Sequence, residues 1–495
     1  MGRTKCLGSL LTFALLSPAA FAQDQTQRLQ QEVDELKTTV QALQAEVKAL
    51  KAERVQTVTP TTPAAAPAPS ASPTAASAAA TQVTEVPSTQ VDALGLSHAE
   101  RSPLPPQQSV SEDQDSASRI DNEAPPTDPA LQGFIQIPGT ETIARIGGYA
   151  KLDMIYDTRS IGSPDAFATS AIPVPAPHDN SGNFNLQARQ TRFSLDIRRP
   201  TIFDETLRFY FENDFYGGGN GQYGFRLRQA YGQLGNTYAG FGWSSFTDVD
   251  AIPDTLDFAG PNSVIATRRA GIHQFFHLGE SSSLTLAAEQ PSSEVSAFDP
   301  SMNVHGTQHM PDVIAAVRTE QNWGHLQLGG LVRQLGYSDN EQNRRMLAGG
   351  AQLTGSFKLG SFASYGDLLM FGLNWGKGIA RYLNDLGGAN LDAVVSQDGR
   401  LHILSEWGAY AGYTHYWSEN WRSNLVYGAL RMPRSSWLGA TDFRDSNYGA
   451  ANLLWTPAPT LTVGLELLHG RLEVQDNRYN TDTRIQGSVQ YSFIK

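Results

Sequence analysis

The chain has 495 residues, a formal net charge of -12 and a single cysteine, Cys6. The acidic excess holds both before and after residue 130, so no basic surface is offered to nucleic acid. Beyond residue 130 no apolar run is long enough to cross a bilayer as a helix, which excludes a helical membrane protein but not a β-barrel, whose alternating strands look only mildly hydrophobic.

The first 22 residues read as a secretory signal. Arg3 and Lys5 form a basic start, Leu7 to Leu16 a short apolar stretch, and Ala20-Phe21-Ala22 a cleavage site that leaves Gln23 as the first mature residue. Cys6 would leave with the signal, and a mature chain without thiols suits an oxidising compartment and excludes thiolate chemistry.

Residues 23–56 carry a heptad seam: Leu29, Val33, Leu36, Val40, Leu43, Val47 and Leu50, at alternating spacings of four and three. A repeat of 3.5 residues predicts an α-helical coiled coil in the periplasm, and Val alternating with Leu favours two strands. Residues 57–132 are rich in Ala, Pro and Ser, cannot build a core, and are expected to form a disordered linker.

From residue 133 to 495 the texture becomes that of repeated alternating segments. The fold class expected is all-β, a sixteen-stranded antiparallel transmembrane β-barrel. Its strands fall near 145–157, 187–199, 205–215, 224–234, 237–246, 264–278, 282–290, 311–320, 323–336, 345–358, 366–379, 403–417, 420–433, 445–456, 460–473 and 484–494. Short connections such as Gly235-Asn236 and Ser418-Glu419 alternate with long ones such as 158–186, 247–263 and 380–402, as periplasmic turns alternate with external loops in outer-membrane barrels. Trp323, Trp407, Tyr416, Trp417, Trp421 and Trp455 lie near strand ends, where aromatic girdles meet the lipid headgroups.

In the final strand Ile485, Gly487, Val489, Tyr491 and Phe493 share one parity, while Arg484, Gln486, Ser488, Gln490 and Ser492 share the other. With lipid outside, the polar set faces the lumen. The same alternation turns Lys151, Arg192, Arg198, Arg208, Arg226, Arg228, Arg333, Arg422 and Arg484 inward. Two readings stand for these cations: a shared path for small anionic solutes, or braces paired with lumen carboxylates. The loop after the fifth strand carries Asp248, Asp250, Asp254 and Asp257 among Val249, Ile252, Leu256 and Phe258. That mixture favours a loop folded into the barrel as a constriction over an external loop covering a subunit contact.

No HExxH or GxSxG motif and no phosphate-binding glycine loop is present, so no enzyme and no cofactor is expected. His305 and His309 have a metal-like spacing, but Gly306 and Pro311 point to a flexible loop there and no metal is expected.

Several segments resemble the DcaP-like outer-membrane porins: PDTLDFAGPN at 253–262, GKGIARYLND at 376–385, THYWSENWRSNLVYG at 414–428, NLLWTPAPTLTVGLELLHGR at 452–471 and RIQGSVQYSF at 484–493. The resemblance implies a homotrimer of sixteen-stranded barrels in the bacterial outer membrane, a periplasmic N-terminal coiled coil, and diffusion selective for anions such as dicarboxylates. It also draws attention to Arg381, whose direction the alternation leaves open. The implied trimer departs from the two-stranded preference of the seam. The ending Phe493-Ile494-Lys495 departs from the usual terminal aromatic, a role Phe493 would take two residues early. A structural tether, with the tail contacting the periplasm or cell wall, is the alternative function.

Overall fold

The computed structural model describes residues 133–202, 205–218, 221–339, 343–360 and 366–492. The expected signal, coiled coil and linker, and Phe493, lie outside them.

Sixteen long strands run in chain order: β1 (Ile143–Asp157), β2 (Arg192–Pro200), β3 (Thr206–Asp214), β4 (Arg226–Leu234), β5 (Thr237–Trp243), β6 (Arg268–His277), β7 (Ser282–Glu289), β8 (Asp312–Gln321), β9 (Gly324–Ser338), β10 (Asn343–Lys358), β11 (Leu368–Lys377), β12 (Ser405–Ser418), β13 (Trp421–Arg431), β14 (Phe443–Ala458), β15 (Leu461–Val474) and β16 (Tyr479–Ser492). Each pairs antiparallel with its neighbours in sequence, and β1 closes on β16 from Tyr149↔Ser492 to Asp157↔Arg484. Closure leaves no open edge, the condition for a sheet to sit in hydrocarbon.

All sixteen expected strands are present. The largest boundary differences are at β2, which starts at Arg192 rather than 187, and β16, which starts at Tyr479 rather than 484, followed by β6, which starts at Arg268 rather than 264. The second strand is also interrupted. Arg192–Pro200 pairs with Ile143–Tyr149, and a separate short strand, Asn183–Gln187, pairs with Asp153–Asp157. The alternation of connection lengths is looser than expected, since 339–342 and 475–478 are short links at the end that carries the long loops.

The polarity is inverted relative to a soluble protein. Leu152, Met154, Phe193, Leu207, Phe209, Leu425, Leu465 and Ile485 are exposed on the outer wall, while the alternate residues Lys151, Asp153, Arg192, Arg208, Asn424, Glu466 and Arg484 are buried. Period-two alternation does this directly: one face meets lipid, the other the interior.

Two long connections add structure above the barrel. Val295–Ala297 pairs parallel with Ala393–Val395, which pairs antiparallel with Leu401–Ile403. Val295, Leu335, Tyr337, Ala393, Val395 and Leu401 pack beneath this small sheet. His305 is not in a free loop: His305–Thr307 pairs with Gly336–Ser338 at the end of β9. Among the described residues no cluster suited to a metal ion occurs.

Candidate functional site: the loop-filled lumen

The β5–β6 connection, 244–267, turns into the barrel. Phe246, Ala251, Ile252, Leu256, Phe258, Ala259, Val264 and Ile265 are all buried. The wall is carved to receive it. A Cβ at Gly412 would stand 2.5 Å from the Pro253 ring, which cannot swing aside, and Cβ atoms at Gly428 and Gly464 would stand 2.5 Å from Asn262 Oδ1 and 2.8 Å from Leu256 Cδ1, so glycine lets the loop lie close to the wall at all three positions.

Polar contacts fix the loop around most of the circumference. Asn374 on β11 donates to the Ser263 carbonyl (2.6 Å), and Ser263 Oγ to the Ala409 carbonyl on β12 (2.9 Å). Asn452 on β14 donates to the Asp254 carbonyl (3.0 Å). On β15, Glu466 accepts from the amides of Leu256 (2.9 Å) and Asp257 (2.8 Å). Lys151 on β1 donates to the Leu256 carbonyl (2.6 Å). These bonds satisfy backbone groups that would otherwise be buried without partners.

Each of the four loop aspartates meets an arginine. Asp248 and Asp250 both take Arg318 of β8, at 3.1 and 2.8 Å. Asp254 takes Arg422 (3.0 Å) and Asp257 takes Arg484 (3.2 Å). Asp248 also accepts from His325 (2.9 Å) and Thr354 (2.6 Å). Burial raises the pKa of Asp248, but the His325 hydrogen bond and charge, with Arg318 and Thr354, outweigh it and hold the carboxyl below its ordinary range.

The nine inward cations read from the sequence all have carboxylate neighbours. Lys151 lies 3.2 Å from Asp153 and Arg192 3.7 Å from Glu212. Arg198 and Arg208 share Asp196, at 2.9 and 3.0 Å. Arg226 forms a two-point contact with Asp214, and Arg228 bonds Glu212 (2.5 Å) and Asp214 (3.2 Å). Arg333 meets Asp312 (3.4 Å) and Asp392 (3.0 Å), and Arg484 is held by Asp157 (2.6 Å) as well as Asp257. A continuous ladder of uncompensated cations is therefore absent from these nine. Within the barrel most of them serve as half of a buried pair, and losing one partner of such a pair is costly.

A different group gathers round a cavity of about 220 Å³. Arg226, Arg268, Arg269 and Arg381 line it, with Glu294 and Gly388. The Arg268 guanidinium stacks 3.7 Å from the centre of the Trp243 ring, and that of Arg269 lies 5.1 Å from the centre of Tyr382. Arg269 is buried, and its Nε and Nη2 have no hydrogen-bond partner among the described residues. Arg381 sits in a short 3-10 turn, Ala380–Tyr382, and pairs with Glu294, which also accepts the Gly388 amide (2.8 Å). Of the four arginines lining this space, Arg226 is held by Asp214 and Arg381 by Glu294, while Arg269 keeps two buried N–H groups turned to no protein acceptor among the described residues, a geometry suited to a planar acidic group.

Alternation alone does not single out Arg268 or Arg269, whereas Arg318 does lie on the inward parity of β8 and was missed. Arg268 and Arg269 are adjacent, so a period of two turns one of them away from the lumen, and Arg381 lies outside any strand. The adjacent pair at the start of β6, directly after the inward loop, is the signal that was available.

A model of the DcaP outer membrane protein family matches residues 135–493. The chain belongs to this family. It is thereby an outer-membrane protein of porin type, as the quoted motifs implied. The outer membrane channel DcaP of Acinetobacter baumannii superposes with a TM-score of 0.62, covering 72% of this chain and 99% of that one, at 18% identity, a likeness of fold. Porin Omp2b of Brucella canis is 29% identical over 206 residues, covering 39% of this chain, and Omp2b of Brucella abortus matches to the same extent. The chain spans about half the length of these curated relatives.

Proposed function

We propose that the barrel is a passive, anion-preferring pore for small solutes, with dicarboxylates and related organic acids as its cargo, working as a homotrimer. The observation that carries this reading is the cavity lined by Arg226, Arg268, Arg269 and Arg381, where four cations stand against the two carboxylates of Asp214 and Glu294 that pair with Arg226 and Arg381. In a space narrowed by protein, such an excess of fixed positive charge raises the local concentration of anions and their entry rate. The nine inward cations then divide the labour. Arg198, Arg208, Arg333 and Arg484 brace the wall and the inward loop, whose aspartates stand as the constriction, while Arg226 contributes to the passage. The Acinetobacter protein is an outer membrane channel and the Brucella proteins are porins, which accords with this reading.

Planar-bilayer recordings in a salt gradient test it. Wild-type protein should show an anion-selective reversal potential that falls sharply in R268S/R269S, with block by dicarboxylates weakened in the same variant. A cation-selective wild type, or selectivity unchanged in that variant, would overturn it. The heptad seam at 29–50 favours a second role, with the tail as an envelope tether. Deleting residues 23–130 should then leave conductance intact while weakening envelope integrity.

A further inference from the structure

The opposite face of the wall carries a second concentration of arginine. Along the outward parity of β15 the residues are Leu461, Val463, Leu465 and Leu467, then His469, Arg471 and Glu473. The same change occurs on β14, from Trp455, Leu453 and Ala451 to Asn447 and Asp445, and on β13, from Leu425 and Tyr427 to Arg431. Register aligns these residues laterally: Arg431↔Asp445, Asp445↔Glu473, Asn447↔Arg471 and Glu473↔Tyr479.

The height of this band can be worked out. The aromatic girdle at the short-turn end is marked by Trp421 and Trp455, stacked 5.6 Å apart. From Leu461, beside it, to Arg471 is about ten residues, or roughly 33 Å along a strand, which a tilt of about 40° reduces to roughly 25 Å. That is the height of a barrel's apolar belt. Arg471 and its neighbours therefore stand where the hydrocarbon ends, on the side of the longer loops, which is the outer leaflet.

The cluster is ordered and cationic. Arg444 and Arg471 bond the two oxygens of Glu473 at 2.6 and 2.5 Å. Asp445 lies 3.9 Å from Arg431 and 3.7 Å from both Arg444 and Arg471. Three guanidinium groups thus surround two carboxylates, and between 27% and 33% of each arginine side chain stays exposed. Arg478, in the adjoining 475–478 connection, is more exposed still but is paired with Asp476 at 2.7 Å and adds no net charge to the cluster. Arg471 lies over the ring of Tyr479 at 4.4 Å and Arg431 over Trp407 at 5.9 Å, and both rings are exposed. The carboxylates hold the arginines in fixed positions, and each guanidinium has five donors, enough to serve a carboxylate and a second acid together.

We propose that this patch binds the phosphorylated saccharide headgroup of an outer-leaflet glycolipid. The phosphate rests on Arg431, Arg444 and Arg471, and the acyl chains lie along Leu453, Leu465, Leu467 and Ile485. Phosphate recognition by arginine supplies the chemistry, and the apolar face directly beneath commits the site to a lipid rather than a free anion. The site is on the lipid face and does not rest on the permeation reading.

Native mass spectrometry of the full-length protein in detergent tests the proposal, with added bisphosphorylated lipid A, the same lipid after enzymatic dephosphorylation, and phosphatidylethanolamine. Wild-type protein should retain the phosphorylated glycolipid at least tenfold more than either comparator, and millimolar inorganic phosphate should not displace it. The variant R431S/R444S/R471S should lose that preference while keeping wild-type conductance. Equal retention of dephosphorylated and phosphorylated lipid by the wild-type protein overturns the proposal without recourse to any variant, as do displacement by free phosphate and undiminished retention by the variant.

Discussion

Arg484 ties the closing seam of the barrel to the inward loop. It is fully buried, bonds both oxygens of Asp157 on β1, reaches Asp257 in the inward loop, and donates to the carbonyls of Ser163 and Pro164. Replacing it by methionine keeps much of the volume but strands two buried carboxylates. Breaking a buried ion pair from one side costs about 3–5 kcal/mol. If that cost falls on the seated loop, the equilibrium for its local opening rises by roughly a hundred- to a few-thousand-fold, at tenfold per 1.4 kcal/mol. The reporters are the amides of Phe167 and Ala259, bonded to Asp257 at 2.8 and 2.9 Å, and those of Leu256 and Asp257, bonded to Glu466. Hydrogen exchange of peptides covering 163–168 and 252–262 should accelerate by that factor, while amides of the β12–β13 pair stay protected. Adding D157N and D257N should recover part of the protection. Unchanged exchange in the loop, or equal acceleration everywhere, would refute the assignment of Arg484 as the loop's anchor.

Phe246, buried and edge-on to Tyr382 at 5.7 Å, fills space beside the wall; F246A should widen the lumen, read as higher single-channel conductance. G412A should unseat the loop, because its Cβ would meet Pro253, whereas G330A, whose nearest neighbour would be 3.9 Å away, should behave as wild type in the same exchange assay. Asp385, in the 378–404 connection, is buried and bonded to Thr169 and the Ser170 amide, and burial outweighs these bonds to push its carboxyl up to about 7. Its folded-state pKa is above the unfolded one. The stabilisation it gives is therefore complete below about pH 4 and is lost as pH rises through about 7. Proteolysis of the external loops should increase from about pH 4 to about pH 7 and level off above, and D385N should flatten that profile.

The strands were legible because a bilayer-facing wall forces period-two alternation, which needs only neighbouring residues to read. The inward loop was legible from a local anomaly, four aspartates among Ile252, Leu256 and Phe258. The partners of the lumen arginines were not. Arg208 finds Asp196 and Arg484 finds Asp157 across strand pairs, and those meetings depend on the register between strands. Arg381 and Glu294 meet because two loops far apart in sequence share a parallel strand pairing in a small mixed sheet, which alternation within either segment does not announce. The interruption between Gln187 and Arg192 was hidden because both halves keep strand-like composition.

The seam where β1 meets β16 has a consequence for assembly. Slipping the last strand by one residue turns Arg484 to the lipid, and slipping it by two moves its guanidinium away from Asp157 by the length of a pleat repeat. Only one alignment of first and last strand neutralises that charge, and the same alignment completes the berth of the inward loop. The interior ion pair thus acts as a proofreading mark on barrel closure, so that a chain zipped in the wrong register carries a plug that cannot lock.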